Sequence, residues 1–259
     1  MVDRDSKNQL NVLLPYAMIA TKKWLSTEGV NRHSLDNALK SKKLEALGVG
    51  VYARTGMPVP WEGMVCSLQR MSVTPVHVGG LTALELLGFG HYLSSSKERT
   101  IHLYSEAKLP AWLAKLKQRG TFRWHGTKTL WEAKLLVKEK VVKEYQWQED
   151  LPPLMISSPE KACLEMLMDV PKTVSFEHAD QLMQGLTSLS PRKLEILLNA
   201  CRHVKVKRLF FWFADRQGYT WLKKLDYQDF DLGKGKRVVA KGGKLDKKYQ
   251  ITVPEYLHG

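Results

Sequence analysis

The sequence predicts an α+β protein, with a small N-terminal module of helices and a β-hairpin followed by a larger mixed α/β domain. In residues 1–57, two short amphipathic helices flank a glycine turn and precede two β-prone runs. Strand-like and helical runs alternate over residues 58–156, and residues 157–259 are helical before a terminal β-hairpin. We therefore expect two domains, 1–57 and 58–259, the second with a sheet-rich part followed by a helical part.

The N-terminal module carries start and stop signals for two helices. Thr21 is the expected N-cap of a helix over Lys22–Glu28, and Gly29 is suited to the left-handed turn that ends it. Asn31 is the expected N-cap of the next helix, Arg32–Ser41. The apolar residues of this second helix recur at helical spacing and predict one buried seam, formed by Leu35, Ala38 and Leu39.

A β-hairpin is predicted directly after these helices. The runs Leu44–Leu47 and Val51–Arg54 are separated by a turn that contains Gly48 and Gly50. A helix, a tight turn, a second helix and a hairpin form the arrangement of a winged helix-turn-helix, in which the second helix enters the major groove of DNA. The first 57 residues are thus predicted to be a DNA-reading module.

The charge of the chain agrees with a polyanionic partner. The formal net charge is +14, so nucleic acid is the first candidate partner and an anionic membrane surface the second. Arginine, lysine and asparagine side chains bind base edges, and further lysines neutralise phosphates. The predicted DNA contacts are Arg32, His33, Asn37, Lys40, Lys42, Lys43 and Arg54. The alternative is a winged helix that contacts only protein.

A second basic region lies near the C-terminus. Residues 201–259 carry 14 basic and 6 acidic side chains, and predict a secondary basic surface that binds DNA, RNA or protein. Its expected members are Lys205, Lys207, Arg208, Lys234, Lys236, Arg237, Lys241 and Lys244. The aromatic run Phe210–Phe213 within this region is expected to be core, with nucleobase stacking as the alternative.

Enzymatic chemistry has one candidate signal. The pairs Glu106/Lys108 and Glu132/Lys134 have the E-x-K spacing of many metal-dependent nucleases, but they lack a convincing upstream acidic partner. A nuclease guided by the winged helix is therefore the alternative function. The eight histidines show no zinc-binding spacing. We predict no catalytic residue, no metal site and no cofactor.

Cysteine usage and hydropathy predict a cytoplasmic protein. Cys66, Cys163 and Cys201 are isolated and odd in number, as expected of reduced core thiols. The N-terminus has no secretory signal pattern, and the longest apolar stretch, Val12–Ala20, is short and contains Pro15. We expect no membrane contact.

Several segments also resemble one family of bacterial regulators. Val76–Leu86 reads VHVGGLTALEL, which is the most specific of them, and Leu25–His33, Leu47–Arg54, Gly242–Asp246 and Tyr249–Pro254 are similar to the same family. These segments resemble AbiEi proteins, the antitoxins and transcriptional regulators of type IV toxin–antitoxin systems that act by abortive infection in phage defence. The resemblance extends over nearly the whole chain.

The resemblance implies a function that the residues alone do not. It implies an N-terminal winged helix that represses its own operon at inverted repeats in double-stranded operator DNA. It also implies a C-terminal antitoxin domain that counters a nucleotidyltransferase-like toxin without a stable complex. The DNA-contacting surface of the family maps onto the helix that begins at Asn31, where Asp36 is an acidic exception among basic groups. Asp36 is expected to face cytosine or a neighbouring side chain.

Overall fold

A computed structural model describes residues 9–90, 99–116, 120–131 and 140–257. The chain divides into two compact units. The first consists of Met1–His77, Ser96–Trp124 and Glu144–Met155, and the second of Val78–Ser95, His125–Lys143 and Ile156–Gly259. The first unit thus contains residues 1–57 together with further segments. None of the helices among the described residues is long and apolar enough to span a membrane.

The first part of the chain forms helices around a small antiparallel sheet. Residues 9–13 are helical, and they are followed by β1 (Ile19–Thr21), α1 (Lys22–Thr27), α2 (Arg32–Lys40), β2 (Leu44–Gly48) and β3 (Val51–Arg54). The strand order is β1-β3-β2, with Ile19 opposite Ala53 and Leu44 opposite Arg54. The predicted helices and hairpin are confirmed to within a residue or so. Strand β1 was not predicted, since three residues are too few to show a period.

Local capping fixes both helices of this region. The Thr21 side chain accepts a hydrogen bond from the Trp24 amide, and Asn31 accepts one of 2.7 Å from the Ser34 amide. Both caps satisfy backbone donors that the first turn leaves free. The seam of α2 is buried at Leu35 and Ala38, with Leu39 partly buried. These residues pack in one apolar cluster that also contains Leu14, Ala20, Leu25, Val30 and Leu44.

The middle of the chain adds a mixed sheet. Its elements are α3 (Trp61–Met71), β4 (Val76–Val78), α4 (Gly80–Leu86), β5 (Thr100–Ser105), α5 (Ala111–Ala114), β6 (Thr121–Gly126), β7 (Val142–Tyr145) and β8 (Leu154–Ser157). The strand order is β6-β5-β4-β8-β7, and β4 is parallel to β8 at Val78 and Ile156.

One strand of this sheet differs from its prediction. The sequence predicts a strand over Leu135–Val142, but β7 begins at Val142, where that run ends. Lys140 adopts a positive φ of 48°, which places a turn before the strand instead of a continuous ladder. Residues 135–139 of the predicted strand lie outside the described residues.

The C-terminal part is mainly helical. It contains α6 (Pro159–Met168), α7 (Phe176–Gly185), α8 (Pro191–Ala200) and α9 (Val204–Gln217), followed by short 3₁₀ turns and the strands β9 (Lys244–Asp246) and β10 (Ile251–Val253). The side chains of Ser158, Ser175 and Ser190 cap the first three of these helices. The prediction of a helical region that ends in a hairpin is confirmed.

The two strands that pair in the terminal hairpin differ from the strands that the sequence predicts. The predicted strands were Lys236–Ala240 and Lys248–Val253, but β10 pairs with β9, so residues expected in the turn form a strand. The turn instead follows Asp246, whose carboxylate accepts a hydrogen bond of 2.8 Å from the Tyr249 amide. Gly243 permits the close strand approach, because a Cβ there would clash with the Val253 carbonyl oxygen.

A buried ionic group lies inside the second unit. The Lys161 ammonium is fully buried, contacts the Glu165 carboxylate, and lies 3.2 Å from the Ser157 hydroxyl and 5.2 Å from the centre of the Trp131 ring. Glu165 also accepts hydrogen bonds from the Ser157 hydroxyl and the Gly80 amide. Burial lowers the pKa of Lys161, while the neighbouring carboxylate opposes that shift.

Candidate nucleic-acid interface

The predicted recognition helix α2 presents a continuous polar stripe. Arg32, His33, Asn37 and Lys40 are exposed, and Asp36 is partly exposed among them. Positions i, i+1, i+4, i+5 and i+8 lie on one side of an α-helix, opposite the buried Leu35 and Ala38. The helix therefore exposes to solvent the residue types that are able to bind base edges and phosphates.

Asp36, the acidic residue in this stripe, lies beside an arginine. Its carboxylate is 3.7 Å from the Arg32 Nε, and the two side chains are one helical turn apart. Arg32 stays 82% exposed, so its terminal guanidinium nitrogens face solvent. Asp36 was expected to face either cytosine or a neighbouring side chain, and in the structure it faces the side chain of Arg32.

Lys42 has an unusual backbone conformation at the end of α2. Its φ is 55°, in the left-handed region where glycine is the favoured residue. The Lys42 amide donates to the Leu39 carbonyl and the Lys43 amide to the Ala38 carbonyl, which is the hydrogen-bond pattern of a Schellman motif. The chain thus has a lysine side chain at a position where the backbone geometry favours glycine.

Arg54, at the end of β3, is held by an aromatic ring. Its guanidinium carbon lies 4.1 Å from the centroid of the Tyr16 ring, which is a close cation–π contact. Tyr16 is 46% exposed. No sequence pattern points to Tyr16, since it lies 38 positions before its partner Arg54 and no periodic signal links the two.

Some of these groups converge on one cleft of about 650 Å³. Of the predicted DNA contacts, it brings together Asn37, Lys42, Lys43 and Arg54. Arg32, His33 and Lys40 are not among its lining residues. Further polar groups line it, contributed by Asn11, Tyr16, Ser34, Ser41 and Thr55. The described part of the chain contributes no acidic residue to the lining, so its fixed charges are cationic.

The secondary basic surface is only partly as predicted. Lys234, Lys236, Arg237, Lys241 and Lys244 are exposed. Three other members of the predicted set are not free surface cations. Lys207 and Arg208 are buried, and Lys205 is partly buried with its ammonium donating to the Met168 and Val170 carbonyls.

Arg208 has a structural role instead. Its guanidinium donates to the carbonyls of Leu232, Gly233, Gly235 and Gln250 at 2.7–2.9 Å. A guanidinium carries five N–H donors in a rigid fork, so a single side chain is able to organise this segment from inside. The prediction that Arg208 belongs to a contact surface is wrong because these carbonyls enclose it.

The aromatic run of α9, the E-x-K pairs and the cysteines are the remaining functional candidates. Phe210–Phe213 are buried to between 0% and 4% exposure and pack against other rings, so the stacking alternative is wrong and the core assignment is confirmed. Glu106 is partly buried and Lys108 is exposed, in the segment after β5. The pair Glu132/Lys134 lies outside the described residues. Cys66, Cys163 and Cys201 are buried and free, as expected.

Comparison with known proteins defines the class of protein to which this fold and surface belong. A family model described as the AbiEi antitoxin N-terminal domain of a transcriptional regulator matches residues 4–95. A second model, described as a transcriptional regulator, AbiEi antitoxin, of type IV toxin–antitoxin systems, matches residues 98–254. The chain therefore belongs to the AbiEi antitoxin family of transcriptional regulators.

One solved structure shows a similar fold. The crystal structure of the RV2827C protein from Mycobacterium tuberculosis matches with a TM-score of 0.50 and 19% sequence identity, covering 90% of this chain and 85% of that one. At this identity the likeness concerns the fold alone. No curated protein matches the chain.

Proposed function

We propose that residues 1–57 form a winged helix-turn-helix that reads operator DNA, through which the protein represses its own operon. The observation that carries this proposal is the polar stripe of α2 beside the cationic cleft, with the buried seam on the opposite face of the helix. The order α1, turn, α2, β2, β3 and the pairing of β1 with β3 support the winged-helix assignment. Membership of a family of transcriptional regulators supports the DNA partner.

The α2 stripe and the lysines after it are proposed to have different roles. Arg32 and Asn37 project from the helix and read base edges, whereas Lys42 and Lys43 follow the helix and neutralise phosphates. Replacing Arg32 and Asn37 by alanine therefore lowers the preference for operator over random DNA. Replacing Lys42 and Lys43 weakens binding to both DNAs by a similar factor.

A mobility-shift titration tests these roles. The probes are the duplex upstream of the gene and a scrambled duplex of equal length, each measured at several salt concentrations because phosphate contacts make affinity salt-dependent. If the Arg32→Ala, Asn37→Ala double variant keeps full operator preference, α2 is not the recognition helix. If no preference exists in the unaltered protein, the chain is not a sequence-specific regulator.

We further propose that the chain is the antitoxin of a nucleotidyltransferase-like toxin encoded beside it, and that it acts without a stable complex. The family description supports the antitoxin role. Co-expression with the neighbouring gene product tests it: the protein restores growth, while purified toxin and antitoxin elute separately in size-exclusion chromatography. The Arg32→Ala, Asn37→Ala variant separates the two activities, because it is expected to lose operator preference and still restore growth.

A further inference from the structure

The cleft beside α2 has the composition of a binding site for phosphoryl groups. Its three cations come from two segments: Lys42 and Lys43 follow α2, and Arg54 ends β3. The lining also includes apolar residues and the side chains of Asn11, Ser34, Ser41 and Thr55, and such hydroxyl and amide donors, like arginine and lysine, commonly bind phosphate oxygens. Its volume of about 650 Å³ lies within the range of small-ligand sites.

Charge balance favours an anionic occupant. Among the described residues, Lys42, Lys43 and Arg54 form no ion pair, and no carboxylate lines the cleft. Like charges gathered in one concavity repel each other, and a bound anion relieves that repulsion. A phosphoryl group satisfies several donors at once, and the planar fork of Arg54 suits bidentate contact with it.

Two features show that this cleft is more than a group of mobile surface lysines. The ring of Tyr16 stacks on the Arg54 guanidinium at 4.1 Å, which restricts the orientation of that side chain. The left-handed backbone of Lys42, locked by the two Schellman hydrogen bonds, fixes where its side chain leaves the main chain. Positioned donors lose less conformational freedom when a ligand binds.

From these observations we infer that the cleft is a phosphate-binding site in which Arg54 contacts the phosphoryl oxygens and Tyr16 positions Arg54. The inference rests on the proposed function, since the backbone of operator DNA is one source of such phosphates. A free phosphorylated molecule is the other source. Tyr16 is therefore a positioning residue, and Arg54 contributes affinity without base preference.

The first arm of the test uses inorganic pyrophosphate and the full-length protein. In an NMR titration at low salt, backbone amide shifts are expected at Tyr16, at Lys42 and Lys43, and at Arg54. Arg54→Ala abolishes them. Tyr16→Leu weakens pyrophosphate binding about 2- to 5-fold, the loss expected of an exposed cation–π contact, and Tyr16→Phe restores it. Shifts confined to other parts of the protein overturn the inference.

The second arm measures binding of a scrambled DNA duplex as a function of salt. Arg54→Ala lowers the slope of log affinity against log salt by about 0.9, the value for one phosphate contact. Tyr16→Leu lowers the affinity but leaves the slope unchanged, because the charge of Arg54 is still present. Thermal melting of each variant checks that it folds.

Arg70→Ala is the matched control. Arg70 likewise lies over a ring, 5.2 Å from the centre of Trp24, but it is exposed where Arg54 is partly buried, and it does not line the cleft. Equal effects of Arg54→Ala and Arg70→Ala in both arms overturn the inference, even if operator preference is intact. Pyrophosphate binding in the cleft without operator preference overturns the proposed function and leaves the phosphate site standing.

Discussion

Lys42→Gly is expected to stabilise the protein and to weaken its binding to DNA. A left-handed conformation costs a residue with a side chain about 1–2 kcal/mol, and glycine avoids this cost at φ 55°. Glycine also gives the unfolded chain more freedom, which offsets roughly 0.5–1 kcal/mol of the gain. The net expectation is about 0.5–1 kcal/mol of added stability, measured by urea unfolding of the full-length protein.

The loss of binding comes from the ammonium group alone. If Lys42 contacts one phosphate, Lys42→Gly and Lys42→Ala both lower the salt slope of affinity for a scrambled duplex by about 0.9. Lys42→Ala keeps the strained backbone, so it shares the binding defect without the gain in stability. The two variants together separate the charge of residue 42 from its conformation.

Lys43→Gly is the control for this prediction. Lys43 is the next residue and is also exposed, but its φ is not positive, so glycine there is expected to lower stability by roughly 0.5–1 kcal/mol. If Lys42→Gly is less stable than Lys42→Ala, the reasoning from backbone strain is refuted. If both Lys42 variants bind DNA as the unaltered protein does, Lys42 is not a phosphate contact.

Three further changes are expected to lower the free energy of unfolding, each measured by urea unfolding. Arg208→Lys leaves at least one of the four carbonyls without its donor, because an ammonium has three N–H groups, a loss of about 1–3 kcal/mol, and equal stability would contradict the role of the fork. Glu165→Gln removes the carboxylate that the buried Lys161 ammonium contacts, at about 3–5 kcal/mol, and a change below 1 kcal/mol would show that the pair is not the stabilising unit. Asn31→Ala removes the α2 cap at about 1 kcal/mol, whereas Asn31→Ser should retain most of it.

Helix caps and helical spacing in the sequence predicted where α1 and α2 begin and which face of α2 is buried. Asn31 and Thr21 have side chains that cap helices, and both caps are present. The alternation of buried and exposed positions in α2 follows from the spacing of Leu35 and Ala38. These features depend on residues three or four positions apart, so the linear pattern contains them.

The features that the sequence did not predict depend on contacts between distant segments. The sequence predicts Lys207 and Arg208 as solvated charges on a helix. In the structure, carbonyls of residues 232–235 and 250 surround the Arg208 guanidinium, and a linear pattern does not show that these distant segments meet it. Tyr16 gains its role only when β3 brings Arg54 beside it. The sequence predicts one strand of the terminal hairpin over the wrong residues because Gly243 is typical of a turn, whereas here it permits a close strand approach.

The buried Lys161 and Glu165 pair limits how the second unit is able to change during evolution. Glu165 joins α6 to the first amide of α4 and to the hydroxyl that ends β8, and its carboxylate contacts the Lys161 ammonium. Losing one partner alone removes an ionic contact at a fully buried site, which is strongly destabilising, whereas replacing both by apolar residues is often neutral. An apolar replacement such as Lys161→Met with Glu165→Leu therefore has to arise as a joint substitution. The two positions are expected to be exchanged together or to stay fixed among descendants of this chain.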